Sequence, residues 1–109
     1  MKLTEQKCMA CEGGVIPFSL REIEILLKQV PGWSLFADQK TIVKKYKFKD
    51  FKEALAFVNR VGDIAEEEGH HPDIHLVNFR EVEIHLRTHA IDGVSNNDFI
   101  VAAKIDSEL

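Results

Sequence analysis

Apolar and polar positions along the chain predict seven elements. Ser19 precedes an apolar-periodic run, with Glu22 three residues on, which is the residue pair of a capping box. Phe18 and Ile23 sit where a hydrophobic staple would close it. Leu20, Ile23, Leu27 and Val30 mark one helical face, and Pro31-Gly32 stops the run. Asp50 opens a second helix with Glu53 at its third position. Phe51, Ala54, Leu55, Val58, Val61 and Ala65 follow at core-facing spacing, and Gly69 is placed as a left-handed cap. Ser95 and Asp98 repeat the capping box before a last helix, with Val94 and Phe99 as its staple. Between the helices, Trp33 to Ala37 and Thr41 to Phe48 flank Asp38-Gln39-Lys40 and read as a hairpin. Ile74 to Phe79 is a shorter strand. Arg80 to His89 is the clearest, with Val82, Ile84 and Leu86 on one side and Glu81, Glu83, His85, Arg87 and His89 on the other.

The expected order is therefore αββαββα, an α+β fold. Paired hairpin strands imply a four-stranded antiparallel sheet with helices on one face, leaving the other face comparatively polar. The 109 residues are expected to form a single domain, with residues 1–18 as an N-terminal extension. No apolar stretch approaches the roughly 20 residues of a membrane helix, and no signal segment is legible. A cytoplasmic location is the expectation. With 45% hydrophobic and 29% charged residues the composition is that of an ordinary globular chain. A net charge of -4 argues against a nucleic-acid partner held by charge.

Two features are left that carry chemistry. Cys8 and Cys11 form one C-x-x-C, with neither a second pair to complete a zinc site nor a preceding strand to suggest a thioredoxin motif. It reads as an N-terminal turn ending in Gly13-Gly14. The five histidines all fall between His70 and His89. Glu66 and His70 are four apart, one helical turn, and His70-His71 then leave the helix end on a loop stiffened by Pro72. Imidazole titrates near neutrality as a residue type, so a histidine beside a carboxylate suits general acid–base work. The same spacing is equally compatible with a histidine-rich helix C-cap. Antiparallel pairing would bring His89, ending its strand, near His70 and His71. His75 and His85 read as solvated strand positions without a role. Three imidazoles are enough ligands for zinc on paper. However, adjacent residues on a stiff loop rarely aim both rings at one ion, and H-E-x-x-H is absent. Asp98 has a capping role and can also orient an imidazole or bind a polar ligand edge.

These residues resemble the signature of the pterin-4a-carbinolamine dehydratase family: Glu66, three residues, His70-His71-Pro72, six residues, Phe79, nine residues, His89, eight residues, Asp98. Similarity extends to Pro31-Gly32-Trp33, Phe48-x-x-Phe51 and Asn97-Asp98-Phe99, and Cys8 to Gly14 looks like an extension some bacterial and plant members carry. The resemblance implies dehydration of a 4a-hydroxytetrahydropterin to a quinonoid dihydropterin without metal or organic cofactor. It implies catalytic roles for His70, His71 and His89, and substrate binding by Glu66, Gly69, Arg87, Thr88 and Asp98. A small-molecule pterin and a homodimer or homotetramer are the implied partners. Two positions depart from the pattern: Ile74 stands where some members have an aromatic, and Phe79 lacks a tyrosine hydroxyl. The alternatives are a dimerisation cofactor of the kind some members provide to a homeodomain transcription factor, and an enzyme acting on another pterin.

Overall fold

A computed structural model of the chain describes residues 2–9 and 15–109; Cys11, Gly13 and Gly14 of the predicted turn lie outside them. Helices α1 (Leu20–Leu27), α2 (Phe51–Glu68) and α3 (Asn96–Ser107) and strands β1 (Ser34–Leu35), β2 (Ile42–Lys47), β3 (Asp73–Val77) and β4 (Glu81–Leu86) follow the predicted order. Short 3-10 turns at Leu3–Glu5 and His89–Ile91 are added to it. The sheet runs β1-β2-β4-β3, antiparallel throughout. Both capping boxes form, Ser19 with Glu22 and Ser95 with Asp98, because each serine oxygen and each partner carboxylate satisfies amide donors the first helical turn leaves bare.

One layer of side chains joins sheet to helices. Val82, Ile84 and Leu86 of β4 are buried on the face that the helices cover. They meet Val61 and Ile64 of α2 and Phe99, Ile100 and Ile105 of α3 in one apolar cluster. Asp106 closes one edge of it, accepting from Trp33 Nε1 at 3.0 Å, Lys44 Nζ at 3.0 Å and Tyr46 Oη at 2.7 Å. A carboxylate with three donors is an economical way to bury the polar ends of a Trp and a Tyr.

Several boundaries differ from the sequence expectation, each for a local reason. β1 is only Ser34–Leu35, since Trp33 turns into the core and Phe36 N–H already bonds Thr41 at the hairpin turn. β3 starts at Asp73 and ends at Val77, because Asn78 and Phe79 take φ of 50° and 54° in a tight turn. Consecutive positive φ values match the twist of a hairpin. Neither residue is Gly, so the turn was hidden. β4 stops at Leu86, so His89 is not on a strand but opens the 3-10 turn. On α2, Phe51 and Leu55 are exposed, and Phe57 and Ile64 are buried instead; Leu20 of α1 is also exposed. Val30, beyond the end of α1, is buried as expected.

Candidate active site

The site is built where the C-terminal end of α2, the end of β4 and the first turn of α3 converge. α2 ends on Gly69, whose φ of 63° is in the left-handed region and whose N–H still reaches Ala65 O. A non-glycine residue there would strain the backbone. His70 N–H bonds the same carbonyl at 3.2 Å, so the loop turns sharply off the helix axis. β3 begins at Asp73, paired with His85 of β4. The residues just before β3 therefore lie beside those just after β4. Thr88 and Gly93 form an antiparallel bridge that folds the segment between them back toward the sheet.

Asp98 is the centre of the arrangement. It is fully buried, and its Oδ2 accepts from Ser95 N–H and from Thr88 Oγ1, each at 2.9 Å. Its Oδ1 meets His70 Nε2 at 2.7 Å. Thr88 spends its hydroxyl hydrogen on Asp98, so the contact of 2.7 Å with Ser95 Oγ has Ser95 as donor. An ionised carboxylate only accepts, so Nε2 of His70 carries hydrogen and Nδ1 is the nitrogen left for a ligand. One residue thus performs both roles read for it, capping α3 and orienting an imidazole.

The predicted pairing of Glu66 with His70 is corrected. Glu66 Oε2 meets His71 Nε2 at 2.5 Å instead, because the left-handed turn at Gly69 carries His70 across to α3 and leaves His71 above the helix end. That pair is largely exposed, whereas the His70 side chain is 12% exposed.

A cleft of about 270 Å³ opens against these groups, lined by Gly69, His70, His71, Arg87, Thr88 and His89 of the predicted set. Glu66 and Asp98 stand behind it, each on one histidine. Met9, Ala90 and Asn97 complete the lining and were not anticipated. The Asn97-Asp98 pair was a signal for Asn97; Met9, inside the C-x-x-C, had none. A smaller cleft of about 170 Å³ shares His71, Arg87 and His89 and continues past His85 to Phe36. His85 is not solvated as expected: its side chain is 17% exposed and its ring lies 5.1 Å from Phe36 and 4.9 Å from His75. Arg87 is tied outward, Nη2 donating to Asp92 at 2.7 Å, while Lys40 holds the other oxygen of that carboxylate. Asp92 is held below the usual carboxylate range by Lys40 foremost. Phe79 caps the β3–β4 turn at the far end of β4, exposed and away from the cleft.

The N-terminal segment is fastened behind the cleft. Glu68, almost wholly buried, accepts from Cys8 N–H at 2.9 Å and from Lys104 Nζ at 2.6 Å. Burial raises its carboxyl, but the Lys104 and Cys8 bonds outweigh it and the net displacement is downward. Burial first, and then the Glu68 charge, pushes the Cys8 thiol up to about 12. Cys8 is therefore a neutral donor to Asn97 O, not a thiolate nucleophile. Because the folded Glu68 value is depressed, its stabilisation is complete above the ordinary carboxylate range and is lost as pH falls through the folded value. Thermal unfolding of Glu68→Gln is expected to show a deficit of about 2 kcal/mol at pH 7 that narrows below about pH 4. A deficit independent of pH from 3 to 7 would remove this reading.

No helix among the described residues is long and apolar enough to cross a membrane. The model of the pterin 4 alpha carbinolamine dehydratase family matches residues 16–108. A relative from Halorhodospira halophila that bears the pterin-4-alpha-carbinolamine dehydratase name is 48% identical over 98% of this chain and 97% of its own. One from Rubrobacter xylanophilus with the same name is 46% identical over 96% of each chain. Among solved structures, a transcriptional coactivator/pterin dehydratase from Brucella melitensis superposes with a TM-score of 0.77 at 29% identity, covering 84% of this chain and 96% of that one. A pterin dehydratase-like RuBisCO assembly factor of the alpha-carboxysome shares the fold, with a TM-score of 0.60 at 22% identity over 70% of this chain and 87% of that one. By the match to its family model and by these identities over nearly its whole length, the chain belongs to the pterin-4-alpha-carbinolamine dehydratase family, a family of hydro-lyases.

Proposed function

We propose that the chain dehydrates a 4a-hydroxytetrahydropterin to the quinonoid dihydropterin by histidine acid–base catalysis, in tetrahydrobiopterin recycling. The observation that carries this is the buried Asp98–His70 pair at the edge of a cleft that His71 and His89 also line. Loss of water from C4a needs a proton delivered to the departing hydroxyl and one removed from N5. The C4a–O bond breaks as the N5–H electron pair forms the new C=N bond. Expelling hydroxide unprotonated is far harder, so a positioned imidazolium is the acid. Asp98 holds the His70 ring through Nε2, which leaves Nδ1 as the nitrogen for proton exchange. His89 is free of the carboxylate pairs that hold His70 and His71, and it serves the other proton. His71, held by Glu66, orients the ring. Arg87 and Thr88 line the cleft beside the histidines and are read as substrate-binding residues.

Partner expectations follow from the same resemblance. Exposed Phe51 and Leu55 on α2, together with the open edge of β3, support association into a homodimer or homotetramer.

The test is direct. Chemically generated 4a-carbinolamine, mixed with the protein, is expected to lose water far faster than in buffer, followed by absorbance. Unchanged decay in the presence of a bound pterin would overturn the proposed activity and favour a pterin-binding role.

A further inference from the structure

Residues 3–9 are bound to the site. Leu3 is buried in the core beneath α3, and Gln6 Oε1 accepts from Asn96 Nδ2 at 2.9 Å. Cys8 is fixed to Glu68 and to Asn97 O as described above. Met9 is then gripped on both sides of its backbone by one side-chain amide: its N–H donates to Asn97 Oδ1 at 3.0 Å, and its carbonyl accepts from Asn97 Nδ2 at 2.6 Å. A side-chain amide that satisfies both backbone groups of one residue mimics a strand partner. It holds that residue against the first turn of α3.

Met9 is nevertheless 76% exposed, and it lines the cleft together with His70, His71 and His89. A long apolar side chain whose backbone is pinned and whose end is bare has two explanations. On most surfaces it is an incidental exposed residue. Here it borders a cleft whose other long side chains, His70, His71, Arg87, His89 and Asn97, are all polar, and Asn97, which pins it, is followed by Asp98, which pins His70. The first turn of α3 therefore sets the apolar wall and the acid–base group in one register. A thioether is polarizable and adapts to a flat heteroaromatic ring, and sulfur–aromatic contacts are favourable.

We propose that Met9, clamped by Asn97, forms the apolar wall that packs on the ring of the bound pterin and sets its affinity without taking part in proton transfer. The inference rests on reading the cleft as a pterin site. It makes the N-terminal segment part of the substrate site, a function that the C-x-x-C pattern did not suggest.

The experiment compares the unaltered full-length chain with Met9→Ala and Met9→Leu. Each is titrated with 7,8-dihydrobiopterin by fluorescence and assayed for dehydration. Met9→Ala is expected to weaken binding and raise KM roughly tenfold, with kcat within about twofold. Met9→Leu, which restores apolar bulk, is expected to recover most of the affinity. Thermal unfolding is expected to be unchanged in both, since the side chain is exposed. Equal affinity in Met9→Ala and the unaltered chain overturns the proposal while leaving the dehydratase reading intact. A fall in kcat at constant KM overturns it too, since that would place Met9 in the chemical step. Failure of the unaltered chain to bind 7,8-dihydrobiopterin removes both readings together.

Discussion

Replacing His70 or His89 by alanine is expected to slow dehydration by roughly 10²–10⁴-fold each, the usual contribution of a positioned acid or base. The two variants are expected to differ in stability, and that difference tests the geometry. His89 is exposed and is bound by no carboxylate in the way His70 is, so His89→Ala should unfold close to wild type. His70 is the partner of a buried carboxylate, so His70→Ala leaves Asp98 Oδ1 without the donor it has in the native fold. That should cost about 1–3 kcal/mol. His71→Ala removes only an exposed pair with Glu66, worth about 0–1 kcal/mol. Stopped-flow dehydration and thermal melts on the three variants check all of this. Wild-type rates in both His70→Ala and His89→Ala would end the acid–base assignment.

Asp98→Ala carries the largest expected loss of stability. The side chain is inaccessible to solvent and serves three donors at once, from Ser95, Thr88 and His70. Its removal deletes an N-terminal contact of α3 and strands buried hydrogen-bond donors. Removing one partner of such a buried pair typically costs about 3–5 kcal/mol, and each kcal/mol lowers Tm by about 4–8 °C in a domain of this size. Asp98→Asn separates structure from chemistry. Its oxygen can keep the Ser95 and Thr88 bonds, but its amide then presents hydrogens to His70 Nε2. The imidazole must turn or change tautomer, so the rate should fall roughly 10²-fold or more while the fold persists. An Asn variant with wild-type rate would mean that Asp98 is only a cap.

Much of this is legible in the sequence. Both capping boxes, the glycine that ends α2 and the period of two along Val82, Ile84 and Leu86 are local rules, and local rules operate between residues a few positions apart. The eight candidate site residues were legible through spacing and family resemblance, and six of them line one cleft. Partner choice was not. Glu66 is one turn from His70 along an ideal helix, yet it meets His71, because a left-handed residue between them redirects the chain. On α2, apolar residues are spread widely enough that periodicity admits two faces. Tertiary packing then selects Ile64 and Phe57, the latter against the rings of Tyr46 and Phe48, for burial and leaves Phe51 and Leu55 in solvent.

The sequence by itself determined the order of elements, their caps, the antiparallel pairing and the set of histidines and carboxylates with which the site is made. Only the tertiary structure decided which carboxylate holds which histidine, where β4 gives way to the turn that carries His89, and that Met9 belongs to the cleft. The physical reason is range. Caps and periodicity are set by backbone groups within a turn or two, whereas Asp98–His70, Glu68–Cys8 and Asn97–Met9 join residues 28, 60 and 88 positions apart. Such contacts exist only once the apolar layer beneath α2 and α3 has brought their helix ends together.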